Sequence, residues 1–302
     1  MRRWLRQSRY RLHAWADRVG ATDDAAQRDR LSDQLTQRLL ALGYRNLAAE
    51  KGALPPLADT EFRQFSQNGE DGILLFLFSV LGTTNRRAVE ICAGDGIECN
   101  TANLIVNHGW EGLLFDGDPV LVARGQRFYA RTPETRRLPP RFEHAWLTRD
   151  NVDGKIRAAG FAGDIDLLSL DLDGMDYWIW DAIDCVSPRV VVLEYNNRWS
   201  EEFSVTVPYT DAFVVADQRP QAAGYFGASL PAFASLGRRK GYRLIGANSL
   251  NTNAVFLRDD VGDPQFPEVS AAACLASPYA RYQQRTKYPL IARLPVVEVP
   301  PA

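Results

Sequence analysis

The chain has 302 residues with 35 Lys and Arg against 37 Asp and Glu, a formal net charge of −2, and 46% hydrophobic and 24% charged residues. That balance suits one large core, or one core with an appendage, and excludes long disordered tracts and any whole-chain field for nucleic acid. Four cysteines, Cys92, Cys99, Cys185 and Cys274, are scattered without a C-x-x-C pair, which argues against structural zinc and for reduced thiols in the cytoplasm.

The first twenty residues, MRRWLRQSRYRLHAWADRVG, are arginine-rich but hold no apolar run long enough for a signal peptide, and no later run approaches membrane-spanning length. A cytoplasmic location is expected. As a helix this segment places Trp4, Leu5, Leu12, Trp15 and Val19 loosely on one face. Such a face can pack on the main domain, join a second subunit or lie on an anionic membrane, and its short apolar stripe favours packing. A second helix has Leu31, Leu35, Leu39 and Leu42 at helical spacing with Gly43 as its stop. Residues 1–60 thus form a helical appendage, 52–56 a linker, and 61–302 the main domain.

From there strand and helix signals alternate. A helix over 68–81 starts with Asn68 as N-cap. The strand 88–92, a helix around 102–107, the strand 112–115, a helix after Pro119, a strand near 142–147 and a helix over 151–159 follow. The apolar strand 165–170 leads to a helix over 177–183 and a further apolar strand, 189–193. This alternation predicts an α/β fold, a Rossmann-like doubly wound, mostly parallel seven-stranded sheet. At the end, the strand-like runs 242–246 and 253–257 are joined by too few residues for a crossover helix, so the sheet closes in an antiparallel hairpin.

Two constellations carry chemistry. In the first, Glu90-Ile91-Cys92-Ala93-Gly94-Asp95-Gly96 takes a strand into a glycine turn and a helix, where bare backbone amides and a helix start can approach a ligand. The dinucleotide fingerprint would need glycines where Cys92 and Cys99 stand, so NAD fits poorly. In the second, Asp171, Asp173 and Asp176 follow the apolar strand in LDLDGMDYWIW, and the next strand ends in Leu193-Glu194-Tyr195-Asn196. Strand-end acids side by side suit a hard divalent cation such as magnesium. Asp176 reads as the N-cap of the helix carrying Trp178 and Trp180, which are core and pocket wall rather than a stacking platform, since no basic stripe accompanies them.

The glycine turn resembles motif I of class I S-adenosylmethionine-dependent methyltransferases, with Cys92 in place of the first glycine. GWEGLLFDGD ends a second strand in Asp116, where that family holds the ribose hydroxyls. Together with SQNGED, LDLDGMDYWIW, VVVLEYN and YFGASL, it resembles the FkbM-type group over roughly residues 61 to 260, whose members mostly methylate hydroxyls of sugars and natural products. The resemblance implies S-adenosylmethionine held by Gln67, Glu90, Cys92, Gly94, Asp95, Gly96, Asp116 and Asp171. It also implies a metal on Asp171, Asp173, Glu194 and Asn196. Catalysis falls to Asp171, Asp173 and Glu194 with His144 as a possible base, and a hydroxylated acceptor to Tyr177, Tyr225, Ser229 and Asn253. Two rivals stand beside it: a methyltransferase-like domain that binds without turnover, and an aspartate-nucleophile phosphatase, whose D-x-D-G-T pattern Asp171 to Gly174 resembles, with Met175 replacing the threonine.

Overall fold

The computed structural model describes residues 23–50, 52–214 and 224–301, with side chains from residue 33 onward. The basic segment expected as a first helix lies outside the described residues. Helix α1 (Asp23–Ala49) runs straight through Gly43 instead of stopping there. A Cβ at Gly43 would meet nothing, so the position is open and carries only the intrinsic glycine penalty of about 1 kcal/mol. Packing offsets it, with Ala41 buried and Tyr44 meeting Phe76 edge-on at 4.9 Å.

Helix α2 (Glu70–Leu81) is apolar on all sides and buried from Glu70 to Ser79, as expected of a helix between two layers. Asn68 does not cap it. The N-cap is Gly69 with φ +105°, and the approach is organised by Asp71, whose Oδ2 accepts the amides of Gln64, Phe65 and Ser66 at 2.6–2.7 Å.

The sheet holds β1 (Arg87–Ile91), β2 (Glu111–Asp116), β3 (Arg141–His144), β4 (Gly163–Leu170), β5 (Val186–Glu194), β7 (Tyr242–Ala247) and β8 (Asn253–Arg258) in the order β3-β2-β1-β4-β5-β8-β7. The first five are parallel, and β8 is antiparallel to both β5 and β7. This is the expected Rossmann-like sheet with its closing hairpin. Between the strands run α3 (Ala102–His108), α4 (Pro119–Arg131), α5 (Val152–Ala158), α6 (Asp176–Ala182) and α7 (Leu230–Lys240). A separate ladder was not anticipated: β6 (Val205–Thr206) pairs antiparallel with β9 (Val297–Glu298), and with two residues each neither strand has a readable period. Strands β4 and β5 divide their side chains between two cores, Leu168, Leu170, Val191 and Leu193 on one face and Leu167, Val190 and Val192 on the other. The strand order reverses between β1 and β4, which leaves a crevice outside their carboxyl ends.

At the opposite edge, Asp166 is fully buried and holds the turn into β1, accepting the amides of Thr84, Asn85 and Arg86 and an ion pair from Arg189 at 3.0 Å. Burial pushes its carboxyl up, but the Thr84 amide, Arg189 and the other amides outweigh this and leave it below the usual range. Its stabilising contribution is therefore present above about pH 4 and lost as pH falls through the lowered value. Asp166→Ala should cost about 3–5 kcal/mol in denaturant unfolding, because it leaves three amides without their acceptor and Arg189 with only the Leu81 and Gly82 carbonyls. Asp166→Asn should flatten the acid limb of the stability profile.

Candidate active site

The chain leaves β1 in a left-handed turn: Cys92 has φ +62°, Gly94 +62° and Gly96 +67°. Cys92 thus adopts the conformation of the glycine it replaces in the motif, at a cost of order 1 kcal/mol. A Cβ on Gly96 would lie 2.8 Å from the Phe142 ring, and the Gly96 carbonyl accepts the Tyr129 hydroxyl. Gly94 donates its amide to Asp116 Oδ2 at 2.8 Å, while Asp116 Oδ1 accepts the amide of Asp118. Asp116 therefore ties the end of β2 to the turn.

Glu90 and Asp95 are occupied by the turn itself. Glu90 is buried and accepts the amides of Asn100 and Thr101 at 2.9 and 2.8 Å. Asp95 accepts the Ile97 amide and pairs with Arg124 at 3.3 Å. Gln67 stands exposed in the loop that Asp71 gathers. The Cys92 thiol is pushed well up by burial and then by Asp116, Asp176, Asp171 and Asp173. It is a neutral wall between the β2 acid and the acidic cluster, not a thiolate nucleophile.

Asp171 and Asp173 follow β4, and Glu194 is the last residue of β5. One oxygen from each lies within 4.8 Å of the others. Asp173 has φ +54°, and the loop is shaped by neighbours: a Cβ on Gly174 would meet the Phe213 ring at 2.3 Å, and the Gly174 carbonyl accepts the Gly227 amide. Asp176 is not the cap of α6, whose N-cap is Met175. Instead its buried carboxylate turns back to accept the amides of Leu172 and Gly174 at 2.8 and 3.1 Å. Burial carries it to about 6 despite those bonds.

Glu194 is the most exposed to cost. Its Oε2 is buried and has no hydrogen-bond partner. Burial, then Asp171, Asp173 and Asp176, push its carboxyl well up, with Arg198 opposing. An all-oxygen donor set with one orphaned buried oxygen fits a hard divalent cation, and a cation relieves both the crowding and the missing partner.

The remaining expected residues separate. Asn196 does not serve as a fourth ligand: its amide nitrogen donates to the carbonyls of Gly224 and Phe226, and its oxygen accepts from Arg198. His144 is exposed at the end of β3, three strands or about 14 Å from β4, with Nε2 3.2 Å from the Gly117 carbonyl. Tyr177 is buried against Phe233 with its hydroxyl accepting from Arg239, so it faces the core and not an acceptor. The Tyr225 hydroxyl goes to the Pro295 carbonyl. Ser229 is fully buried as the N-cap of α7 and also accepts the Val205 amide. Asn253 is different, since it is the cross-strand partner of Glu194. Its nitrogen donates to Glu70 at 2.6 Å, while its Oδ1 is buried without a partner.

Other residues had no readable signal. Arg198, the cation beside Glu194, is fixed by a loop that returns from Gly224. The segment over 207–213 is held by side-chain contacts: Trp178 donates to the Val207 carbonyl, Trp146 to the Asp211 carbonyl, and Arg149 lies 5.3 Å from the ring centres of Trp178 and Tyr209.

The chain matches no family model, and no curated protein matches it in sequence. Among solved structures it is similar to an S-adenosylmethionine-dependent methyltransferase from Clostridium acetobutylicum, at 14% identity and a TM-score of 0.30 over 40% of this chain and 47% of that one. It is similar to the methyltransferase domain of a bacterial Hen1, at 14% identity and a TM-score of 0.40 over 62% and 96%. With the mitomycin 7-O-methyltransferase it shares 18% identity and a TM-score of 0.38 over 63% and 52%. The chain thus spans about half the length of the first and third. These likenesses are too weak to carry function.

Glu194→Gln removes from an acidic cluster a half-buried carboxyl, one oxygen of which is buried without a partner. It should therefore raise the thermal midpoint by roughly 2–6 °C in chelator, the stability gain that a functional charge ordinarily forgoes. A midpoint lowered by the substitution would mean that the carboxyl has a stabilising partner in the fold.

Proposed function

We propose that the protein is an S-adenosylmethionine-dependent O-methyltransferase acting on a hydroxyl of a sugar, glycan or natural product, of the FkbM type, assisted by a divalent cation. The observation that carries this reading is the orphaned Glu194 oxygen in a triad of carboxylates, beside a left-handed glycine turn that begins at the switch point of the sheet. The crevice is acidic on both sides of Cys92, which suits a sulfonium-bearing, cationic cofactor as well as a metal.

When bound, S-adenosylmethionine supplies an electrophilic methyl group, and a divalent cation makes neighbouring hydroxyls more acidic. The chain's own residues do the rest. Asp116 and the amides of the turn border the cofactor's side of the crevice. Asp171, Asp173 and Glu194 would hold the cation and orient the acceptor oxygen, and a carboxylate not engaged by the cation can take the hydroxyl proton. Asn253, opposite Glu194 and with an unpartnered oxygen, would accept from an acceptor hydroxyl. A phosphatase reading is disfavoured because the D-x-D-G strand is the fourth of the chain and sits next to the glycine-turn strand.

With labelled cofactor and a panel of hydroxylated acceptors, methyl transfer should depend on magnesium or manganese and stop in chelator. Asp171→Asn should lower kcat by about 100-fold or more, in line with loss of an acid-base or metal-holding group, while cofactor affinity by calorimetry changes little. Turnover unchanged in Asp171→Asn would remove the triad from the reaction. Absence of cofactor binding would remove the methyltransferase reading itself.

A further inference from the structure

A cavity lies at the other end of the sheet, between α1 and the amino ends of the strands, with a volume of about 650 Å³. That size accommodates a nucleotide- or sugar-phosphate-sized molecule. Arg38 and Arg45 reach it from α1, and Arg86 from the residue that enters β1 with φ +55°. The positions 34, 38, 41 and 45 all line it, one face of a helix at i, i+4, i+7 and i+11. β1 alone separates this cavity from the glycine turn, about 16 Å for its five residues.

Among the described residues none of the three guanidiniums has an ion pair. Arg38 and Arg86 both lie close enough to His108 to act on it: burial first, then these two cations, pull its pKa down to about 4. The neutral ring donates from Nε2 to Gln37 Oε1 at 2.7 Å. A carboxylate also lines the cavity, Glu134, whose Oε2 is buried without a partner. Three cations without an ion pair, beside one carboxylate with a buried, unpartnered oxygen, ask for a ligand that brings both an anion and a donor.

We infer that this cavity binds a phosphate-bearing, hydroxylated small molecule, with the phosphate on Arg38, Arg45 and Arg86 and a hydroxyl donating to Glu134. The site is separate from the acidic triad and does not depend on the reaction proposed there. A sugar phosphate or a nucleotide has this chemistry, and so does the headgroup of an acidic phospholipid.

Calorimetry on the full chain with pyrophosphate, ribose 5-phosphate and ribose tests it. Both phosphates should bind and ribose should not. Arg38→Ala with Arg45→Ala, both on an exposed helix face where alanine favours the helix, should weaken binding by about tenfold or more with the thermal midpoint retained. Arg86→Asn, which tolerates the left-handed backbone, should do the same. Glu134→Gln should weaken ribose 5-phosphate more than pyrophosphate. No binding at millimolar phosphate, or binding unchanged in the double variant, would overturn the site. Arginine-dependent capture by phosphatidylcholine vesicles containing phosphatidic acid, without binding of ribose 5-phosphate, would overturn the small-molecule assignment.

Discussion

Three carboxylates that bring one oxygen each within 4.8 Å, with Glu194 Oε2 buried and unpartnered, are the constraint around which the carboxyl edge of this sheet is arranged. Left alone, such a group repels itself and loses solvation, and a chain relieves that cost by protonation or with a cation. The scaffold does the opposite of separating the charges. β4 and β5 are adjacent parallel strands paired in register up to Leu170 and Leu193, so their next residues are delivered side by side. Asp176 folds the loop back by taking the Leu172 and Gly174 amides. Gly174 then lets Phe213 press on the loop from above.

The neighbouring turn follows the same logic. A left-handed Cys92, an amide of Gly94 given to Asp116 and a Gly96 locked under Phe142 fix the backbone where β1 ends. Glu90 and Asp95 spend their oxygens on holding this shape. Residues that read as ligand contacts are thus in part the framework that keeps the crevice open. The amino-terminal edge is organised by one buried carboxylate, Asp166, and beside it stand the cationic cavity and Arg86, whose amide Asp166 accepts.

What was legible in the chain followed from local physics. Parallel strands buried on both faces read as apolar runs, left-handed turns as glycines, and the closing hairpin as two runs too close for a helix. The triad was legible because Asp171 directly follows such a run, Asp173 lies two residues on, and Glu194 ends the next one. What was not legible depended on partners far along the chain. Asn196 is claimed by carbonyls 28 and 30 residues away, Ser229 by an amide 24 residues before it, and Tyr177 by Arg239. Gly43 failed as a stop because α1 gains more by packing on α2 than it loses at one open glycine. Asn68 failed as a cap because Ser66 Oγ already accepts the first-turn amide of Asp71, while the Asn68 side chain donates to Thr252.

The most direct measurement is anomalous scattering from a crystal of the full chain grown with manganese and S-adenosylmethionine. The account predicts one manganese peak bonded to oxygens of Asp171, Asp173 and Glu194, with cofactor density beside Cys92 and Asp116. Bound cofactor with no metal at the triad under saturating manganese would contradict it.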